Sequence, residues 1–165
     1  SLYRRDVDVA PCPQPGNLPD ISEFPVRWEA LLHLNIFRKK ERACHIITTK
    51  IEHDCILNTC RWLEKQGFEV TYLDVDAEGF VRLDELEKAI RGDTVLVSVI
   101  HGNNEIGTLQ NLEAIGKICR EKNVLFHTDA CQSYTKTNID VKKQSSNEVL
   151  IKGINQPAIF ELNVK

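Results

Sequence analysis

Thr94-Val95-Leu96-Val97-Ser98-Val99-Ile100 is the stretch on which the fold turns. It is a near-continuous run of β-branched residues and leucine, without polar-apolar alternation, and it reads as a strand buried on both faces. A strand covered twice needs helices on both sides of its sheet, and the flanking sequence supplies them. Upstream, His45 to Thr49 (HIITT) reads as another buried strand, followed by a helix from Asp54 to Gln66 with Asp54 as its N-cap and Gly67 as its stop. Phe68 to Leu73 alternates as a strand. Leu83 to Ile90 sets Leu83, Leu86 and Ile90 on one helical face, with Gly92 closing it. Downstream, Asn111 to Glu121 is helical and Val124 to Thr128 is the next strand. Strands alternating with helices imply a mostly parallel sheet covered by helices, an α/β domain.

The ends are different. Pro11, Pro13, Pro15, Pro19 and Pro25 with Gly16 break up the first residues, and only Trp28 to Phe37 has helical spacing, through Trp28, Leu31, Leu32 and Ile36. After Val141 the rhythm is lost. Ala158-Ile159-Phe160 with Leu162 and Val164 reads as one more strand.

The totals bound the function. The chain has 165 residues, enough for one domain, with 42% hydrophobic and 27% charged residues, the balance of a globular chain. A net charge of −3 argues against nucleic acid, which calls for clustered Lys and Arg. The one basic cluster, Arg38-Lys39-Lys40-Glu41-Arg42, reads as a solvated helix end. No apolar run reaches the roughly 18 to 20 residues that cross a bilayer, and no secretory signal is expected. Cys12, Cys44, Cys55, Cys60, Cys119 and Cys131 have irregular spacings, so reduced thiols in a cytoplasmic or mitochondrial setting are expected rather than disulfides. Cys55 and Cys60 would lie about 140° apart on a helix, poorly placed to share a metal. Methionine is absent, even at position 1, so either an initiator was removed or the sequence belongs to something longer.

In open α/β sheets ligands bind beyond the carboxyl ends of the strands. Three strands end there in polar clusters: Glu52-His53, then His101 to Gly107 (HGNNEIG), then His127 to Gln132 (HTDACQ). Each has an ordinary reading. Glu52-His53 can cap the next helix, Asn103-Asn104 between glycines can make a tight loop, and Asp129 can be an N-cap. Parallel topology brings all three to one edge, and that coincidence weakens the ordinary readings.

The segments HIITTKIEHDCILNTC, VLVSVIHGNNEIGTLQ and VLFHTDACQSYTKTNIDV, in this order and spacing, resemble those of cysteine desulfurases, pyridoxal-phosphate enzymes of the class V aminotransferase group. The resemblance covers about residues 45–141, as the central part of a large domain of the aspartate aminotransferase-like fold. Residues 1–44 are not family-like and 142–165 form a divergent tail. The resemblance implies pyridoxal 5'-phosphate as cofactor and L-cysteine as substrate, giving alanine and a persulfide. It further implies a sulfur acceptor or iron–sulfur scaffold as partner, and a homodimer.

By the same resemblance, Asp129 pairs with the pyridinium nitrogen and keeps the ring cationic, the electron sink for a carbanion at the substrate α-carbon. At about 4 Å and an effective dielectric near about 20, such a pair is worth roughly 4 kcal/mol before desolvation. His53 stacks on the ring and assists proton transfer, a role open to an imidazole. Asn104 and Gln132 hydrogen-bond the phenolic oxygen. Cys131, beside that site, reads as a packing residue.

The pattern also departs from the family. Counting from Asp129 to the family's Ser-Gly-His-Lys motif reaches Ile151-Lys152-Gly153-Ile154-Asn155, where only the glycine agrees. Asn155 stands in the place of the Schiff-base lysine, and Lys152 is three residues early. Neither the phosphate-holding loop nor the persulfide cysteine loop is matched. Two other readings therefore stay open: an inactive fragment or paralogue that only binds, and a metal-dependent hydrolase using His53, His101, His127 and Asp129.

Overall fold

The computed structural model describes residues 45–65, 67–133, 136–137, 150–152 and 159–161. Four strands form one sheet: β1 (His45–Thr49), β2 (Glu69–Leu73), β3 (Thr94–Ser98) and β4 (Leu125–His127). All pairings are parallel and the order is β2-β1-β3-β4. Three helices connect them: α1 (Asp54–Lys65), α2 (Leu83–Ala89) and α3 (Leu112–Glu121). A separate antiparallel pair, β5 (Leu150–Lys152) and β6 (Ile159–Glu161), lies where the α/β rhythm is lost. The helix read over Trp28 to Phe37, together with Cys12, Cys44, Ile154 and Asn155, falls outside the described residues.

The pleat explains why β1 and β3 carry no polar face. Ile46 pairs in register with Leu96, and Ile47 with Val97. Ile46 and Leu96 pack with Leu63 of α1 and with Phe68. Ile47 and Val97 pack with Leu86 of α2 and with Leu112, Ile115 and Cys119 of α3. One face is covered by α1, the other by α2 and α3, so successive residues of both strands are buried.

The helix ends correct the sequence in three places. Asp54 is the first residue of α1 rather than its cap. His53 caps it instead, its Nδ1 accepting from the Cys55 N–H at 3.2 Å. Gly67 does stop α1. It has φ +93°, its N–H reaches the Glu64 carbonyl, and the Phe68 N–H reaches that of Leu63, the paired closure of a Schellman motif. Helix α2 ends at Ile90, whose extended backbone leaves the helix before Gly92 is reached. Asn111 caps α3 through a side-chain bond from the Ala114 N–H, and Asn123, at φ +55°, closes it in the left-handed conformation a glycine would usually take.

A turn between Val75 and Val81 buttresses the loop after β3. Gln110 accepts from the Val81 N–H at 2.9 Å and donates to the Gly79 carbonyl at 2.7 Å. Gly79 sits at φ +87°, and a methyl there would come 2.6 Å from Ile106 Cδ1 and 2.8 Å from Thr108 Oγ1. Ile106 is exposed and can yield, whereas Thr108 is buried. Gly79→Ala should therefore lower stability by about 2 kcal/mol, from left-handed backbone strain plus crowding. A urea midpoint equal to that of the parent chain would contradict this.

Candidate active site

Strand β1 pairs with β2 on one side and β3 on the other, and the chain winds outward in both directions from that junction. The crevice at a switch point of this kind, beyond the carboxyl ends of β1 and β3, is where such sheets hold ligands. Three loops meet at this edge. The β1 loop carries Glu52 and His53, the β3 loop carries His101 to Gly107, and the segment after β4 carries Asp129 to Ser133.

Hydrogen bonds tie the three together. Pairing of β3 with β4 runs on past the strands, because the Val99 N–H donates to the His127 carbonyl and the His101 N–H donates to that of Asp129, both at 3.0 Å. Asp129 thus stands beside His101. It is buried, and its Oδ1 accepts from the Cys131 N–H at 2.9 Å, a local turn that fixes the carboxylate at the strand end. Ser133 closes the same segment, 2.7 Å from His101 Nδ1. Burial holds the His101 imidazole below its ordinary pKa, so the neutral ring is favoured.

The β1 and β3 loops are joined by side chains. Glu52 is only 6% exposed, and its Oε1 accepts from the Thr49 hydroxyl and from the Ile100 N–H, both at 2.7 Å. In the other direction, the Asn103 amide donates to the Ile51 carbonyl at 2.8 Å, while its Oδ1 accepts from the N–H groups of Glu105 and Ile106. Burial, and secondarily the nearby Asp129 carboxylate, raise the Glu52 carboxyl to about 8, although its two donors pull the other way.

The opposite edge of the sheet offers a contrast. His45 is buried there with both ring nitrogens placed, 2.7 Å from the Thr94 hydroxyl and 2.9 Å from that of Thr71. Burial, with Arg91 nearby, lowers its pKa. At the carboxyl edge, by comparison, Glu52 Oε2 and Thr128 Oγ1 are buried without a hydrogen-bond partner. Buried polar atoms of this kind are uncommon in finished cores and mark places where another molecule can complete the bonding.

The residues read from the sequence divide into two groups. Asp129 is buried at its strand end, while His53, Asn104 and Gln132 are exposed at the same edge. His53 is both a helix cap and an edge residue, with Nδ1 also 3.1 Å from Cys55 Sγ. Cys131 is half-buried. Lys152 lies on β5. Of the residues considered for a metal, His101 and His127 have Nδ1 beside Ser133 and Ser98 hydroxyls. Among the described residues, no group of three or more His, Cys, Asp or Glu could hold a metal ion. Cys55, Cys60, Cys119 and Cys131 are reduced thiols.

The sequence reading placed Asn103 and Glu52 in the strand-end clusters but gave Asn103 only a tight-loop role and Glu52 only a capping role. Both act on backbone groups about fifty positions away, which spacing along the chain does not reveal. The donor set as a whole fits an aromatic cofactor bearing a ring cation and a phenolic oxygen. A buried carboxylate suits the cation, two exposed amides suit the oxygen, and an exposed imidazole offers a flat surface.

The chain is an α/β protein whose parallel sheet gathers its polar loops at the carboxyl edge. The class V aminotransferase family model matches residues 30–147, and the chain belongs to that family, which is pyridoxal-phosphate-dependent. Its relatives within the family are cysteine desulfurases. The chain is 57% identical over 109 residues to the mitochondrial cysteine desulfurase of Candida albicans, a stretch covering 66% of this chain and 22% of that protein. It is 54% identical over 106 residues to cysteine desulfurase IscS of Clostridium botulinum, covering 64% of this chain and 27% of the relative. Among solved structures, SspA in complex with cysteine superposes with a TM-score of 0.67 at 43% identity, over 74% of this chain and 35% of that one. The apo cysteine desulfurase of Thermococcus onnurineus gives 0.65 at 31% identity, over 74% and 31%. The chain thus spans about a quarter of the length of the curated relatives it matches.

Proposed function

We propose that this chain forms the ring-facing wall of a pyridoxal-phosphate site in a cysteine desulfurase, the enzyme that removes sulfur from L-cysteine to leave alanine and a persulfide. The observation that carries the reading is the buried Asp129 carboxylate past the end of β4, at the sheet edge whose loops also carry exposed His53, Asn104 and Gln132. When bound, pyridoxal phosphate supplies a cationic aromatic ring that draws electron density from the amino acid's α-carbon. Asp129 holds the proton on the ring nitrogen by its charge. Its turn with Cys131 keeps the carboxylate from rotating away. His53 would lie against the ring and could hold a proton at its imidazole, and Asn104 and Gln132 would orient the ring by donating amide N–H groups. The persulfide would pass to a sulfur acceptor or iron–sulfur scaffold protein, and the intact enzyme would work as a homodimer. Among the described residues no helix is long and apolar enough to cross a membrane, and the relatives are bacterial and mitochondrial, so we assign a cytoplasmic or mitochondrial setting.

Asn155, at the counted place of the lysine, cannot form an imine, which favours cofactor binding without turnover by this chain alone. Titration with pyridoxal phosphate, followed by visible circular dichroism, tests the site. The parent chain should give an induced band, and Asp129→Ala should weaken binding at least about tenfold, a loss of about 1.4 kcal/mol. No induced band, or one indifferent to Asp129→Ala, would remove the site. Adding L-cysteine and assaying alanine and sulfide separates an active chain from a binding-only one. Borohydride treatment with intact mass, on the parent and Lys152→Ala, shows whether Lys152 holds the cofactor covalently.

A further inference from the structure

The bonds from Glu52 and Asn103 form a reciprocal pair. A side chain of the β1 loop takes an N–H of the β3 end, and a side chain of the β3 loop gives to a carbonyl of the β1 loop. Each residue immediately precedes one that the cofactor reading needs: Glu52 precedes His53, and Asn103 precedes Asn104. We propose that Glu52 and Asn103 are positioning residues, locking the two loops of the crevice together so that His53 and Asn104 stand at fixed places on its rim. The proposal rests on the cofactor reading for its purpose, though the lock itself is a matter of geometry.

Several observations support it. Both residues are buried, at 6% and 9% exposure, so solvent competes little for these bonds. The other donor to Glu52, the Thr49 hydroxyl, comes from the carboxyl end of β1 itself, so the Ile100 bond is the one that ties Glu52 across to the β3 side. The Asn103 Oδ1 simultaneously takes the Glu105 and Ile106 N–H groups, so that amide also sets the turn in which Asn104 lies. His53 is held from the other side by its capping bond from the Cys55 N–H and by its carbonyl, which accepts from the Ile56 N–H. Burial also favours the protonated Glu52 carboxyl, which still accepts through Oε1 in that form.

The test reads His53 directly. Imidazole signals of the chain's five histidines are recorded by NMR, with the His53 signal assigned by loss in His53→Gln. In Glu52→Ala the His53 signal should shift or split. In Glu52→Gln, which keeps an acceptor for Ile100, it should return to the parent position. Asn103→Asp keeps the acceptor for Glu105 and Ile106 but loses the donor to Ile51, so it should displace His53 as Glu52→Ala does. Asn103→Asp carries the test alone if Glu52→Ala does not fold. A parent-like His53 signal in either variant, with a native backbone amide spectrum, overturns the lock. Pyridoxal phosphate added to the same samples gives the second readout: a weaker induced band in Glu52→Ala and Asn103→Asp, restored in Glu52→Gln. If the parent chain gives no induced band, the cofactor reading falls while the His53 signals still decide the lock.

Discussion

Phe126→Ala should destabilise the chain by about 3 to 5 kcal/mol, the range for deleting a buried aromatic ring. Phe126 is 2% exposed and pairs in register with Val97 of β3, itself fully buried. Phe126 shares one buried core with Leu112, Ile115 and Cys119 of α3 and with Val99, whose N–H carries the pairing of β3 with β4 one step further. None is free to collapse into the gap, because each is fixed by its own helix or strand. A loss of that size is a large fraction of the roughly 5 to 15 kcal/mol that a domain usually has. Phe126→Leu should cost much less, since volume is largely kept. Denaturant midpoints for the two variants check this, and a cost under about 1 kcal/mol for the alanine variant would contradict the packing described. The consequence reaches the site. Strand β4 has only three residues, and Asp129 follows it by two positions, so Phe126 is the main apolar anchor of the segment that carries the carboxylate.

Much of this architecture could be read from residue pattern, because pattern records burial. TVLVSVI and HIITT are buried strands because helices cover both faces, and the alternation of Ile46 and Ile47 between two cores leaves neither face to water. Gly67 could be read as a stop because its positive φ is costly for other residues. Asn123 does the same work at the end of α3 without advertising it, since Asn is common in many contexts. Of the two capping readings, Asp54 and Glu52-His53, the structure takes the second: a carboxylate is the usual capping group, yet here the His53 imidazole nitrogen accepts the N–H. The candidate site was legible as three polar clusters at strand ends. Its connections were not. The Glu52–Ile100 and Asn103–Ile51 bonds exist only once β1 and β3 lie side by side, and no spacing along the chain encodes that adjacency.

Raising the pH from about 5 to about 8.5 should weaken the parent chain relative to Glu52→Gln by roughly 3 to 5 kcal/mol. The Glu52 carboxyl titrates near its ordinary 4.5 when unfolded and is raised to about 8 when folded, first by burial. The folded state therefore binds more protons across that window, and stability falls as pH rises. The contribution is fully present below about 4.5 and gone once the pH has passed about 8. Above that point the fold must carry a buried anion beside Asp129, with Oε2 lacking a partner. Among the described residues no cation offsets it, for the groups acting on Glu52 are the Thr49 and Ile100 donors and the Asp129 charge, and the Cys60 thiol that it in turn raises is neutral in this range. Other groups move the absolute curve, which is why the comparison is with the glutamine variant. His45 and His101 are held below 6.5, so their neutral forms add stability as pH rises and oppose the trend in both proteins alike. Cys60 and Cys119, both pushed up to about 12, lose stability only above the thiol range, so the scan stops short of pH 9. Thermal or denaturant unfolding across the window gives the difference directly. Parallel curves for the two proteins would mean that Glu52 is ionised in the fold, and a charged carboxylate at the switch point would then have to be neutralised by whatever occupies the crevice.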